Sequence, residues 1–136
     1  MASIFTRLIQ GELPCYKIAE NDLFFAFLDV FPIARGHVLV VPKQEIDRFF
    51  DVPNDMLQHI LLFAKPIALA IEQVIPCKRV GLSVIGLEVP HAHLHLVPMQ
   101  TADDVNFTRP KLSLDADEMK AIQEAIVDAL QKIQTV

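Results

Sequence analysis

The sequence predicts an α+β fold, an antiparallel sheet with helices packed on one side. Two observations carry that prediction. Short apolar runs bounded by Gly, Pro, Asn and Asp read as strands, while two long stretches with apolar residues three and four apart read as helices. The order of these elements does not alternate strand with helix, as a parallel doubly wound sheet requires. At 136 residues the chain is read as one domain over residues 1–136, large enough for a continuous core.

The elements follow in order. Ser3 can cap a short helix carrying Ile4, Phe5, Leu8 and Ile9, which Gly11 ends and Pro14 confirms. Residues 15–19 and 23–29 read as a hairpin around Glu20-Asn21-Asp22. Asp29 to Gly36 is a loop, broken by Pro32, and His37 to Pro42 is a buried strand. From Asn54 to Gln73 the period is helical, and Pro66 inside it is expected to kink or split the helix. Residues 79–85 read as a strand, Gly86 to Pro90 as a turn, and 91–97 as a further strand. After a polar loop, Asp115 with Glu118 resembles a capping box. The helix it opens, within 114–134, carries Met119, Ile122, Ile126, Ala129 and Ile133 on one face.

Composition narrows the function. The net charge is −5 with no basic run, which argues against a nucleic-acid partner. Hydrophobic residues make up 52% of the chain and mean hydropathy is +0.36, so some apolar surface is expected to close in a homodimer. The N-terminus lacks the charged and apolar regions of a signal peptide. The longest apolar segment, Ile60 to Ile71, is interrupted by Lys65 and Pro66 and reads as too short for a bilayer. A cytoplasmic protein with no membrane partner is expected, with Cys15 and Cys77 as free thiols.

Chemistry concentrates in "PHAHLHLVP", Pro90 to Pro98, which holds three of the five histidines on alternate positions. Alternation predicts a half-buried strand, with Ala92, Leu94 and Leu96 in the core and His91, His93 and His95 in a row on the other face. Three readings compete: solvent-facing histidines without a role, a metal site, and nucleophilic catalysis. His-x-His can hold zinc through two imidazoles, yet three ligands in a straight row cannot converge on one tetrahedral ion. Neutral imidazole, by contrast, is a competent nucleophile and proton donor near pH 7.

The stretch His91-Ala92-His93-Leu94-His95-Leu96-Val97 resembles the His-φ-His-φ-His-φ-φ motif of the histidine triad (HIT) superfamily of nucleotide hydrolases and transferases. The resemblance extends over roughly residues 4–98, through Ile4-Phe5, Gly11-Glu12-Leu13-Pro14, Phe27-Leu28-Asp29 and Gly36-His37 before Pro42-Lys43. It implies a five-stranded antiparallel sheet with helices, and two protomers that join their sheets. It implies cleavage at the α-phosphate of a purine nucleotide conjugate, most like the small phosphoramidase branch, with a dinucleoside polyphosphate hydrolase or a non-catalytic nucleotide-binding module as alternatives. No cofactor or metal is implied. By the same resemblance His93 is the nucleophile, forming a nucleotidyl-histidine that water resolves. His91 and His95 flank it, holding its tautomer and contacting phosphate or leaving group, and His37 supports it. Asp29 matches the carboxylate that binds the ribose hydroxyls, and Ile4, Phe5, Leu8, Phe27, Leu28 and Val30 match the apolar pocket around the base. Taken alone, Asp29 could be a turn cap, His37 a structural histidine and the apolar set plain core.

The chain departs from the family at Gly86-Leu87-Glu88-Val89-Pro90, where Gly-Gln-Ser/Thr-φ-x is usual. Ser83 is the nearest polar replacement. Glu88 would set a carboxylate near a phosphate, which favours a cationic or neutral leaving group if the side chain points inward.

Overall fold

In the computed structural model, which describes residues 2–134, five strands form one antiparallel sheet in the order β1-β2-β3-β5-β4. Helix α1 spans Ile4–Ile9, followed by β1 (Lys17–Glu20), β2 (Phe24–Leu28) and β3 (Val38–Pro42). Helix α2 (Asn54–Val74) leads into β4 (Arg79–Ser83) and β5 (Leu94–Met99), and α3 (Ala116–Gln134) closes the chain's described part. The five-stranded α+β expectation therefore holds, C-terminal helix included.

Strand alternation divides the sheet into two working faces. Phe24, Ala26, Leu28, Val38, Val40, Leu94 and Leu96 pack against α2 and α3 in the main core. Met56, Ile60, Ala64, Ile67, Ala70 and Ile71 face that core from α2, and Met119, Ile122, Ile126, Ala129 and Leu130 face it from α3. On the opposite face Phe25, Phe27, Leu39 and Val41 form a second apolar cluster with Phe5 of α1. That second face carries the site.

Several features differ from expectation. β1 starts at Lys17 rather than at residue 15, and β4 stops at Ser83 rather than at residue 85. α2 runs unbroken through Pro66. The carbonyl that Pro66 leaves unpaired belongs to Leu62, a residue 68% exposed, so water can replace the missing bond. At 21 residues α2 is also long and apolar enough, by length and composition alone, to cross a bilayer, contrary to the short-segment expectation, although one face is buried in the core. The last difference matters most. β5 begins at Leu94, so His91, Ala92 and His93 lie in a bend ahead of the strand and only His95 sits in it.

The capping box at α3 is half realised. The Asp115 carboxylate accepts from the Glu118 N–H at 2.8 Å, but the Glu118 carboxylate pairs with Arg35 at 2.7 Å instead of returning to the cap. That pair joins the start of α3 to the loop after β2. The same loop ends at Gly36, whose φ of +89° suits glycine and turns the chain into β3 at His37.

Candidate functional site

All four histidines of interest are buried: His37 is 1% exposed, His91 0%, His93 6% and His95 7%. Buried imidazoles need partners, and those partners fix where each proton sits. His91 Nε2 lies 2.8 Å from the Pro42 carbonyl, which can only accept, so that nitrogen carries the proton. Its Nδ1 then accepts from the Ser3 hydroxyl at 2.7 Å, while the same Ser3 oxygen accepts from the Thr6 N–H and caps α1. His93 Nδ1 lies 2.7 Å from the His91 carbonyl and must donate to it. His93 Nε2 is left with its lone pair.

A second chain orders the other pair. The Ile33 N–H donates to His37 Nδ1 at 3.2 Å, so His37 carries its proton on Nε2 and donates it to His95 Nδ1 at 2.9 Å. His95 Nε2 is therefore an N–H donor. The His93 and His95 rings stand 4.9 Å apart, edge to face. His37 thus supports His95 and not His93, and the His91 main chain, rather than its ring, orients His93.

Charge follows from burial. Burial, with the neighbouring imidazoles and the Lys111 charge adding to it, pushes His37 and His95 down to about 3. His93 is also lowered, first by burial, although its bond to the His91 carbonyl opposes the shift. All three rings are neutral near pH 7, as the tautomers above require.

His93 and His95 open onto a cavity of about 660 Å³ on the second face of the sheet. Ile4, Phe5, Leu8, Phe27, Leu28, Asp29, Val30 and Glu88 line it, as the sequence led us to expect. Phe5 forms the wall between apolar and imidazole zones, with its ring 5.4 Å from Phe27 and 5.0 Å from His93. Asp29 follows β2, where one carboxylate oxygen accepts from the Phe31 N–H at 2.9 Å. Burial raises its pKa, and the Glu88 charge adds to that, against the Phe31 bond and Lys111.

Three expected residues lie off the cavity wall. His91 and His37 stand behind it, in the two proton-ordering chains. Ser83 sits beside His95 on the β4–β5 ladder and does not line the cavity. The cavity has further walls that sequence reasoning missed. Phe107, Thr108 and Lys111 reach it from the segment between β5 and α3, and Leu39, Ile85, Leu87 and Val89 complete it. The Phe107 ring stacks 4.5 Å from His95, and the Leu112 N–H bonds the Pro32 carbonyl at 2.8 Å, which ties this segment to the loop after Asp29. No period or motif in the sequence marks these positions.

Asp29, His37 and His95 bring ligand-capable atoms within 4.8 Å of one another. The Nδ1 lone pairs of both imidazoles are spoken for. A metal on His37 Nδ1 would orphan the buried Ile33 N–H, and one on His95 Nδ1 would break the His37 bond. The donor set suits a proton chain better than an ion.

Comparison with known proteins bears on family and fold. The HIT domain model matches residues 10–102. An uncharacterized HIT-like protein of Borreliella burgdorferi is 32% identical, covering 90% of this chain and 94% of that protein. The adenosine 5'-monophosphoramidase of Schizosaccharomyces pombe is 30% identical over 93% of this chain and 96% of its own. Among solved structures, a zinc-bound histidine triad family protein from Mycobacterium smegmatis superposes with a TM-score of 0.84 at 25% identity, over 99% of this chain and 97% of that one.

Proposed function

The chain belongs to the HIT family, and from that premise we propose that it hydrolyses or transfers at the α-phosphate of a purine nucleotide conjugate, a nucleoside phosphoramidate foremost. One observation carries the reading: His93 Nδ1 is tied to the His91 carbonyl, so its Nε2 lone pair is the one presented to the cavity. The base rests among Ile4, Phe5, Leu8 and Phe27, and Asp29 accepts from the ribose hydroxyls. His93 Nε2 attacks phosphorus, the bond from phosphorus to the leaving nitrogen breaks, and that nitrogen, steered by the His95 Nε2–H, takes a proton from solvent and departs as the amine. Water then attacks the nucleotidyl-histidine. The water's proton passes to solvent, and His93 leaves with its lone pair restored.

Phosphoramidase-like activity is favoured by the S. pombe relative, whose name carries that reaction. A homodimer belongs to the same proposal. β4 is an edge strand with Leu82, Val84 and Ile85 exposed on it and just beyond it. The free thiols Cys15 and Cys77 suit a reducing, cytoplasmic setting.

The test is a substrate panel. Adenosine and guanosine 5'-phosphoramidates should be cleaved to the monophosphate and the free amine. A protein that binds the monophosphates and cleaves nothing is a nucleotide-binding module. One that cleaves dinucleoside polyphosphates faster than phosphoramidates belongs to the alternative hydrolase class.

A further inference from the structure

The cavity has a charge problem that the histidines do not solve. Asp29 and Glu88 bring two carboxylates to its wall, and His93 and His95 are neutral for the reasons given above. A nucleotide phosphate placed there adds negative charge to a site already negative. The usual hydroxyl and amide donors ahead of the triad are replaced by Leu87 and Glu88, and Ser83 does not line the cavity. Among the described residues that line the cavity, Lys111 is the one lysine or arginine.

Lys111 is placed by structure that no other role explains. Its segment passes over the histidine end of the cavity, held by the Leu112 N–H to Pro32 carbonyl bond and by the Phe107 ring against His95. The ammonium sits 5.6 Å from the Phe107 ring centroid and 3.3 Å from the Phe107 carbonyl. Among the described residues its ammonium makes no ion pair with a carboxylate, and its side chain is exposed enough to turn on its four-carbon stem. Its field already reaches the site. After burial, which dominates, it contributes to the lowered pKa of His95 and His37 and opposes the rise of Asp29.

We infer that Lys111, from the segment between β5 and α3, is the cation that receives the α-phosphate of the bound nucleotide in place of the missing donors ahead of the triad. The inference rests on the proposed nucleotide reading and adds a residue outside the span that resembles the family. An ammonium at the rim neutralises a non-bridging phosphate oxygen and lets the two carboxylates coexist with an anionic substrate.

The experiment compares AMP with adenosine on the full chain by calorimetry. Lys111→Met should weaken AMP about tenfold and leave adenosine within about twofold. Lys111→Arg should restore most of the AMP affinity, since it keeps the charge. The loss on AMP should shrink as salt rises from about 0.05 to 0.5 M. An equal loss on both ligands overturns the inference and makes Lys111 a structural tie for its segment. No loss on either overturns it too, because the charge then plays no part. Wild-type protein that binds neither ligand fails at the earlier step, the nucleotide reading itself, and takes this inference with it.

Discussion

Acidification should unfold this protein through His37 and His95. Both are buried, they bond to each other, and Asp29 Oδ2 stands 3.8 Å from His37 Nδ1, too far for a hydrogen bond. Burial holds both near 3 in the native state, against an ordinary value of 6.5. Between those values the unfolded chain binds protons that the native state refuses, so stability is complete above about pH 6.5 and falls with pH below it. Over the roughly 1.5 units from pH 6.5 to pH 5, at about 1.4 kcal/mol per unit, each histidine removes about 2 kcal/mol. The pair removes about 4 kcal/mol, a large share of the roughly 5–15 kcal/mol that holds an ordinary domain folded. His93 shifts in the same direction and adds to the slope, while Asp29, raised by burial, works against it. Urea unfolding at about pH 7.5, 6.5 and 5 reads the slope, with Asp29→Asn as the control for the opposing group. Imidazole ¹⁵N shifts should show His37 and His95 neutral throughout. A flat stability profile, or either ring titrating near 6, would refute the proton chain drawn here.

Two further outcomes follow from the cavity walls. Asp29→Asn should weaken nucleoside binding by roughly 1–3 kcal/mol, because bonds to a charged acceptor become bonds to a neutral one. The penalty should vanish on a 2′,3′-dideoxy ligand; an equal penalty on both makes Asp29 a cap for the Phe31 turn. Glu88 lines the cavity and its charge reaches Asp29 and His93. Glu88→Ser should therefore raise kcat/KM for dinucleoside polyphosphates relative to phosphoramidates, by about fivefold or more. An unchanged ratio means the carboxylate is solvated and carries no selectivity.

Much of this was legible in the residues, and the remainder has identifiable causes. The alternation of Ala92, Leu94 and Leu96 with three histidines reported the apolar face correctly, but the expected half-buried strand is buried on both faces, because α1 and the segment carrying Phe107 cover the histidine side. It did not report where the strand starts. The Ala92 N–H bonds the Ile46 carbonyl at 2.6 Å, a contact remote in sequence, and Gly86 at φ +73° shapes the approach. These hold His91 and His93 ahead of the strand, where the His91 carbonyl is free to accept from His93 Nδ1. Pro66 does not split α2, and the reason lies in exposure. Its local cost is real, but its free carbonyl falls on the exposed face of α2. Phe107 and Lys111 carried no signal because they sit in an irregular segment whose placement depends on Pro32 and His95, far away along the chain.

The central claim is that His93 Nε2 becomes bonded to phosphorus. Wild-type protein mixed with an adenosine phosphoramidate and quenched within milliseconds in base, where phosphohistidine-type bonds survive, should gain the mass of one AMP less water. Peptide mapping should place that mass on His93, and His93→Ala should show no adduct and turnover lower by about a thousandfold or more while still binding AMP. Rapid turnover with no adduct at any quench time, and a His93→Ala variant that still cleaves at near-normal rate, would contradict it.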